Sequence, residues 1–107
     1  MQIQINFGDV QSSPALQNHV EETVNASMKQ WTDRITRVEI HLHDDNGPKA
    51  GNDKKCIVEV RLAGLQPMAV NAIADDLYKA IDFACDKAQR AVRHKLERQD
   101  ELRRVAG

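Results

Sequence analysis

Residues 37–73, RVEIHLHDDNGPKAGNDKKCIVEVRLAGLQPMAVNAI, carry the pattern on which the fold turns. Val38, Ile40 and Leu42 alternate with Arg37, Glu39, His41 and His43, the period of two expected of a strand with one buried face. The run stops at Asp44-Asp45-Asn46-Gly47-Pro48, a cluster of turn formers. Cys56, Val58, Val60 and Leu62 resume the alternation, Gly64 to Pro67 turn the chain, and Met68 to Ile73 give a further extended run. Three successive strands without an intervening helix predict an antiparallel meander. The connection from Asp44 to Lys55 is the one low-complexity candidate, and its length of about ten residues predicts mobility.

Outward from this meander, the patterns at both ends are of a different kind. Ile3, Ile5 and Phe7 alternate with Gln2, Gln4 and Asn6 and predict a first strand. Ser13-Pro14 supplies a cap and a proline suited to the first helical position, and Leu16, Val20, Val24, Met28 and Trp31 recur every three or four residues. The first helix is therefore expected over about Pro14 to Trp31, with Trp31 as a core anchor. After the meander, Leu77, Ile81, Ala84, Cys85, Ala88, Ala91, Val92 and Leu96 make one broad stripe, with Asp75 or Asp76 available as N-cap. Past Leu96 the stripe thins to Leu102 and Val105, so the end from about residue 99 is expected to overhang and fray.

The order is β-α-β-β-β-α. A crossover through a helix makes the first two strands parallel, and both helices cover one face of a four-stranded mixed sheet, an α+β fold. Ile3/Ile5/Phe7, Val38/Ile40/Leu42 and Cys56/Val58/Val60/Leu62 are the sheet's expected share of the core, each side chain worth about 1.5–3 kcal/mol on burial.

The length of 107 residues suits a single domain spanning 1–107. With 15 Lys+Arg against 16 Asp+Glu, the chain is no uniformly basic coat for nucleic acid. No apolar run approaches the roughly 20 residues of a membrane span, and the alternating N-terminus is unlike a signal peptide. Cys56 and Cys85 cannot build a disulfide framework or a four-ligand zinc site, and their parity places both in the core. The sequence reads as that of a cytoplasmic protein with reduced thiols.

Charge is unevenly distributed. Residues 1–53 carry 4 Lys/Arg and 8 Asp/Glu, whereas residues 54–107 carry 11 and 8. From Lys87 to Arg104 there are 7 basic and 3 acidic residues, with His94 in addition. At 100° per residue, Lys79, Lys87, Arg90, Arg93, His94 and Arg98 fall in an arc opposite the apolar stripe. Such a row is what any solvated amphipathic helix shows. It is also suited to phosphates, whose neutralisation releases counterions and gives salt-dependent binding without base readout.

The run Asp76-Leu77-Tyr78-Lys79-Ala80-Ile81-Asp82, followed by Asp86-Lys87, Arg90 and a basic stretch, resembles the second helix of the hibernation promoting factor and protein Y family. The Ser-Pro-Ala-Leu start and Lys29-Gln30-Trp31 end of the first helix are similar to that family too, and the similarity covers nearly the whole chain. The resemblance implies a stress-response protein that lies in the mRNA and tRNA channel of the small ribosomal subunit, touches rRNA phosphates and blocks translation, without a cofactor. Carried over residue by residue, the implied RNA contacts are Lys79, Lys87, Arg90, Arg93, His94 and Arg98, with Tyr78 and Lys29. Two features depart from the family. Residues 19–29 hold one Lys and two Glu where the family has several lysines, and the 44–54 connection is more elaborate. The chain ends soon after the second helix, so it resembles a short form without the C-terminal dimerisation domain.

Other constellations point less far. His41 and His43 share the outward strand face with no evident third metal ligand. No Gly-rich phosphate loop, nucleophile elbow or paired carboxylates stand out, and His19 with Glu22 has a spacing common on any helix. An enzyme is not expected. The alternative to ribosome binding is a protein-interaction module in which acidic Glu21-Glu22 meets the basic helix of a second copy, giving a homodimer. The terminal β-β-β-α portion also echoes double-stranded RNA binders.

Overall fold

The computed structural model describes residues 1–44 and 53–106, so most of the 44–55 connection lies outside the described residues. The elements are β1 (Gln2–Asn6), α1 (Pro14–Met28), a 3-10 turn (Lys29–Trp31), β2 (Ile35–Asp44), β3 (Lys54–Leu62), β4 (Met68–Ala74) and α2 (Leu77–Ala106). The sheet order is β1-β2-β3-β4, with β1 parallel to β2 and the other pairs antiparallel. This is the α+β arrangement expected from the periodicity, with both helices on one face.

Each boundary has a local cause. Ser13 is extended (φ −147°, ψ 153°) and its Oγ accepts from the Leu16 N–H at 3.1 Å, while Pro14 opens α1 with a φ already helical. The helix does not run unbroken to Trp31 as expected. Met28 leaves the helical basin (φ −111°, ψ 4°) and residues 29–31 tighten into a 3-10 turn, a frequent ending for an α-helix. Trp31 is consequently half-buried against the rim of the core.

Strand β2 begins earlier than alternation alone predicts. Ile35 and Val38 are both buried although three residues apart, which a plain strand forbids; a register shift between Ile35 and Arg37 reconciles them. Thr36 turns outward at the shift and its hydroxyl donates to the Arg61 carbonyl at 3.0 Å. Between β1 and α1, Gly8 adopts φ +58°, and a Cβ there would sit 2.9 Å from the Leu42 carbonyl oxygen. Only glycine satisfies both conditions.

The core lies between sheet and helices. Val38, Ile40, Leu42, Cys56, Val58, Val60 and Leu62 are buried from the sheet side, and Leu16, Val20, Val24 and Met28 from α1. On α2 the buried positions are mostly small: Ala80, Ala84, Cys85 and Ala88 accompany Ile81, Val92 and Leu96. They face Ala72 and Ala74 of β4, so the long helix sits close to the sheet. Ile3, Ile5 and Phe7 are only partly buried, because β1 is an edge strand. Cys56 and Cys85 are fully buried free thiols. Burial pushes both thiols up, with Cys85 raised to about 12 and Cys56 further raised by its proximity to Cys85.

Helix α2 sets the long dimension. Its 30 residues span about 45 Å at 1.5 Å per residue, against a longest molecular extent of 56 Å. The seven residues of β4 cover only about 23 Å, so the C-terminal turns of α2 project past the sheet. α2 is helical to Ala106, and residues 100–105 are exposed.

Candidate nucleic-acid interface

The outward face of α2 is built from its first turn. Asp76, not Asp75, is the cap: its Oδ1 accepts from the Tyr78 N–H at 2.6 Å and the Lys79 N–H at 3.4 Å. Asp75 instead pairs with the Lys79 ammonium at 3.3 Å. The cap fixes the helical phase, and with it the angle at which every later cation leaves the helix.

Lys79, Lys87, Arg90, Arg93, His94 and Arg98 are all exposed on α2, and Lys29 is exposed in the turn after α1. Their environments differ. Lys79 and Arg90 are held by acids one turn away, the latter by Asp86 at 2.7 Å. Exposed pairs at this spacing contribute only about 0.3–0.5 kcal/mol, so a phosphate readily replaces the carboxylate. Lys87 does not point freely outward as expected from the helical wheel. Its Nζ donates to the Asn71 carbonyl of edge strand β4 at 3.0 Å. A lysine over an edge strand also discourages pairing with another chain.

Arg93 lies over the Trp31 ring, with its guanidinium carbon 5.8 Å from the centroid. That contact brings the turn carrying Lys29 alongside the middle of α2. His94 and Arg98 line an open groove with Ala91, Lys95, Gln99 and Leu102. Among the described residues, Lys87, Arg93, Lys95, Arg98, Arg103 and Arg104 have no carboxylate at ion-pairing distance, whereas Asp100 is engaged by Arg34 at 3.5 Å.

Lys95 was absent from the arc read from the sequence because it falls at the angle of the apolar stripe. The signal was present nonetheless: a lysine inside the stripe marks where the helix leaves the sheet. Tyr78 is 39% exposed and its ring meets that of His19 edge-on at 4.9 Å between centroids. His19 in turn contacts Asp82 through Nε2 at 2.7 Å, so its carboxylate partner comes from α2 and not from Glu22. Tyr78 thus belongs to the junction between the helices.

Elsewhere most of the described cations are paired. On the open face of the sheet Glu39 pairs with Arg37 at 3.2 Å and Arg61 at 3.3 Å, and Arg61 with Glu59 at 2.9 Å. His41 lies 3.8 Å from Glu39. Among the described residues no three His, Cys, Asp or Glu side chains gather as metal ligands, and no helix is long and apolar enough to cross a membrane. The surplus of unpaired cations therefore lies along α2.

A family model described as sigma 54 modulation protein / S30EA ribosomal protein matches residues 3–100. A ribosomal subunit interface protein from Coxiella burnetii has a similar solved structure, with TM-score 0.73 and 27% identity over 90% of this chain and 99% of that one. The Protein Y N-terminal domain of Thermus thermophilus matches with TM-score 0.70 and 24% identity, covering 88% and 98% of the two chains. No curated sequence matches significantly.

Proposed function

The chain belongs to the sigma 54 modulation protein / S30EA ribosomal protein family, and on that premise we propose that it is a non-catalytic, ribosome-associated inhibitor of translation acting in the cytoplasm. Its binding place is the mRNA and tRNA channel of the small subunit, and its contacts are rRNA phosphates. The observation that carries this is the row of cations without carboxylate partners on the outer face of α2, beginning at Lys87 and continuing through Arg93 and Arg98. Lys79 and Arg90 join it by exchanging a weak intrahelical partner for a phosphate, and Lys29 extends it across the Trp31–Arg93 contact. No cofactor is needed, because the work is occlusion: a rod about 45 Å long laid along an RNA-walled passage excludes other ligands.

The acidic first helix shifts the burden onto α2. Glu22 is exposed, so α1 offers little to phosphate beyond Lys29 at its end. Binding is therefore one-sided and strongly salt-dependent.

Sucrose-gradient sedimentation of the protein with ribosomes at two salt concentrations tests the proposal. Comigration with small subunits that is lost at the higher salt is the expected result. Protein remaining at the top of the gradient even at low salt would refute it. A second reading, an interaction module that pairs with another copy, draws on Leu102 and Val105, exposed by 59% and 84% at the end of α2. A monomer at all concentrations in analytical ultracentrifugation would remove it.

A further inference from the structure

One side chain on the basic face of α2 does not fit a purely electrostatic surface. Phe83 is 52% exposed, in the second turn of a helix whose other large apolar side chains up to Leu96 pack inward or against α1. Helical spacing sets it among cations: Lys79 precedes it by four residues, Lys87 follows by four and Arg90 by seven. Lys79 and Lys87 thus lie about 6 Å to either side of it along the axis. Its acidic neighbours are occupied, Asp82 with His19 and Asp86 with Arg90. The aromatics Tyr78 and Trp31 are engaged with His19 and Arg93, whereas Phe83 has no aromatic or cationic partner among the described residues.

We infer that Phe83 is a stacking platform for an unpaired nucleobase, and that the ligand of this face is single-stranded RNA rather than a phosphate lattice alone. The inference rests on the phosphate-binding reading of α2 and adds a second recognition element to it. Cations flanking an aromatic ring at one helical turn on each side suit a strand that lays its phosphates on Lys79, Lys87 and Arg90. Such a strand turns one base onto the ring between them. Stacking of this kind is tolerant of sequence, because every base offers a π-face. A helix is a rigid mount, so the backbone beneath the ring needs no ordering on binding.

The test uses the full chain, fluorescence anisotropy, and two labelled single-stranded RNAs of equal length, one with all its bases and one with abasic sites at alternate positions. Phosphate binding treats the two alike; stacking does not. The expected result is a preference of roughly five- to 150-fold for the base-bearing strand, the range of one stacked base. Phe83→Leu keeps an apolar, helix-favouring side chain at an exposed position, and it should bring the two affinities together while leaving the salt dependence intact. Phe83→Trp should retain the preference. Equal affinity of the parent protein for both strands would overturn the inference and leave the phosphate reading standing, as would a preference that survives in Phe83→Leu. That last outcome would point to an apolar contact not specific to an aromatic ring. Failure to bind either strand at about 50 mM salt would overturn the phosphate reading as well.

Discussion

Neutralising three cations of α2 should change the salt dependence of ribosome binding by an amount that follows from the geometry. Lys79, Lys87, Arg90, Arg93 and Arg98 are the permanently charged members of the outward row, and each is within reach of a phosphate laid along the helix. Each phosphate neutralised contributes about 0.7–0.9 to the slope of log affinity against log salt, so the five together give a slope of roughly −3.5 to −4.5. Raising salt from about 50 to 200 mM should then weaken binding about 130- to 500-fold. The variant Lys79→Gln/Arg90→Gln/Arg98→Gln retains two of the cations, and its slope should fall to roughly −1.4 to −1.8, a loss of only about 7- to 12-fold over the same range. Glutamine preserves helix propensity, and the exposed pairs lost with Asp75 and Asp86 contribute under 1 kcal/mol, so the fold stays intact. Lys87 is left in place because it also anchors to β4. Binding of labelled protein to purified small subunits, titrated at five or so salt concentrations, reads the slope directly. A triple variant with the parent's slope would refute the assignment of these side chains to phosphates, whatever its affinity.

Three further outcomes concern the scaffold. Gly8→Ala combines a left-handed backbone with a Cβ 2.9 Å from the Leu42 carbonyl oxygen, and should destabilise by at least about 1–2 kcal/mol in urea denaturation; an unchanged midpoint would contradict the reading of that turn. Asp76→Ala removes the cap of α2 and should cost about 1 kcal/mol, whereas Asp75→Ala, which loses only an exposed pair, should cost a few tenths, a contrast that thermal unfolding followed by circular dichroism resolves. The buried thiols give a pH signature. Folded Cys85 titrates at about 12, above its ordinary value of 9.0, so the unfolded chain releases its proton first. The stability contributed is complete below about pH 9 and declines as pH rises toward 12, and Cys85→Ala should flatten that decline; an equally steep fall in the variant would sink the attribution.

The fold was legible because its elements announce themselves by period. Alternation in β1, β2 and β3 and the three-to-four spacing in α1 and α2 follow from burial on one face, and burial is what the structure shows. The departures have physical causes that alternation cannot carry. Ile35 is buried through a register shift, and Met28 ends α1 through its backbone angles. At the candidate interface, a helical wheel placed the cations correctly but was blind to what each side chain does next. Lys87 bends to a β4 carbonyl, Arg93 covers Trp31, and Tyr78 turns to His19. Those partners come from other elements and depend on how α2 crosses the sheet. Phe83 was missed for a related reason: it belongs to no apolar stripe, and an isolated aromatic among charges registers only once its exposure is known.

The central claim is that α2 lies against RNA in the mRNA and tRNA channel of the small subunit. Hydroxyl-radical cleavage from an iron chelate attached to cysteine introduced at Glu97, on a background with Cys56 and Cys85 replaced by alanine, tests it most directly. Glu97 is exposed on α2 between Arg93 and Arg98, so cleavage of small-subunit rRNA confined to the walls of that channel is the result the account predicts. Cleavage confined to the outer, solvent-facing surface of the subunit, or none from a protein that still comigrates with it, would contradict it.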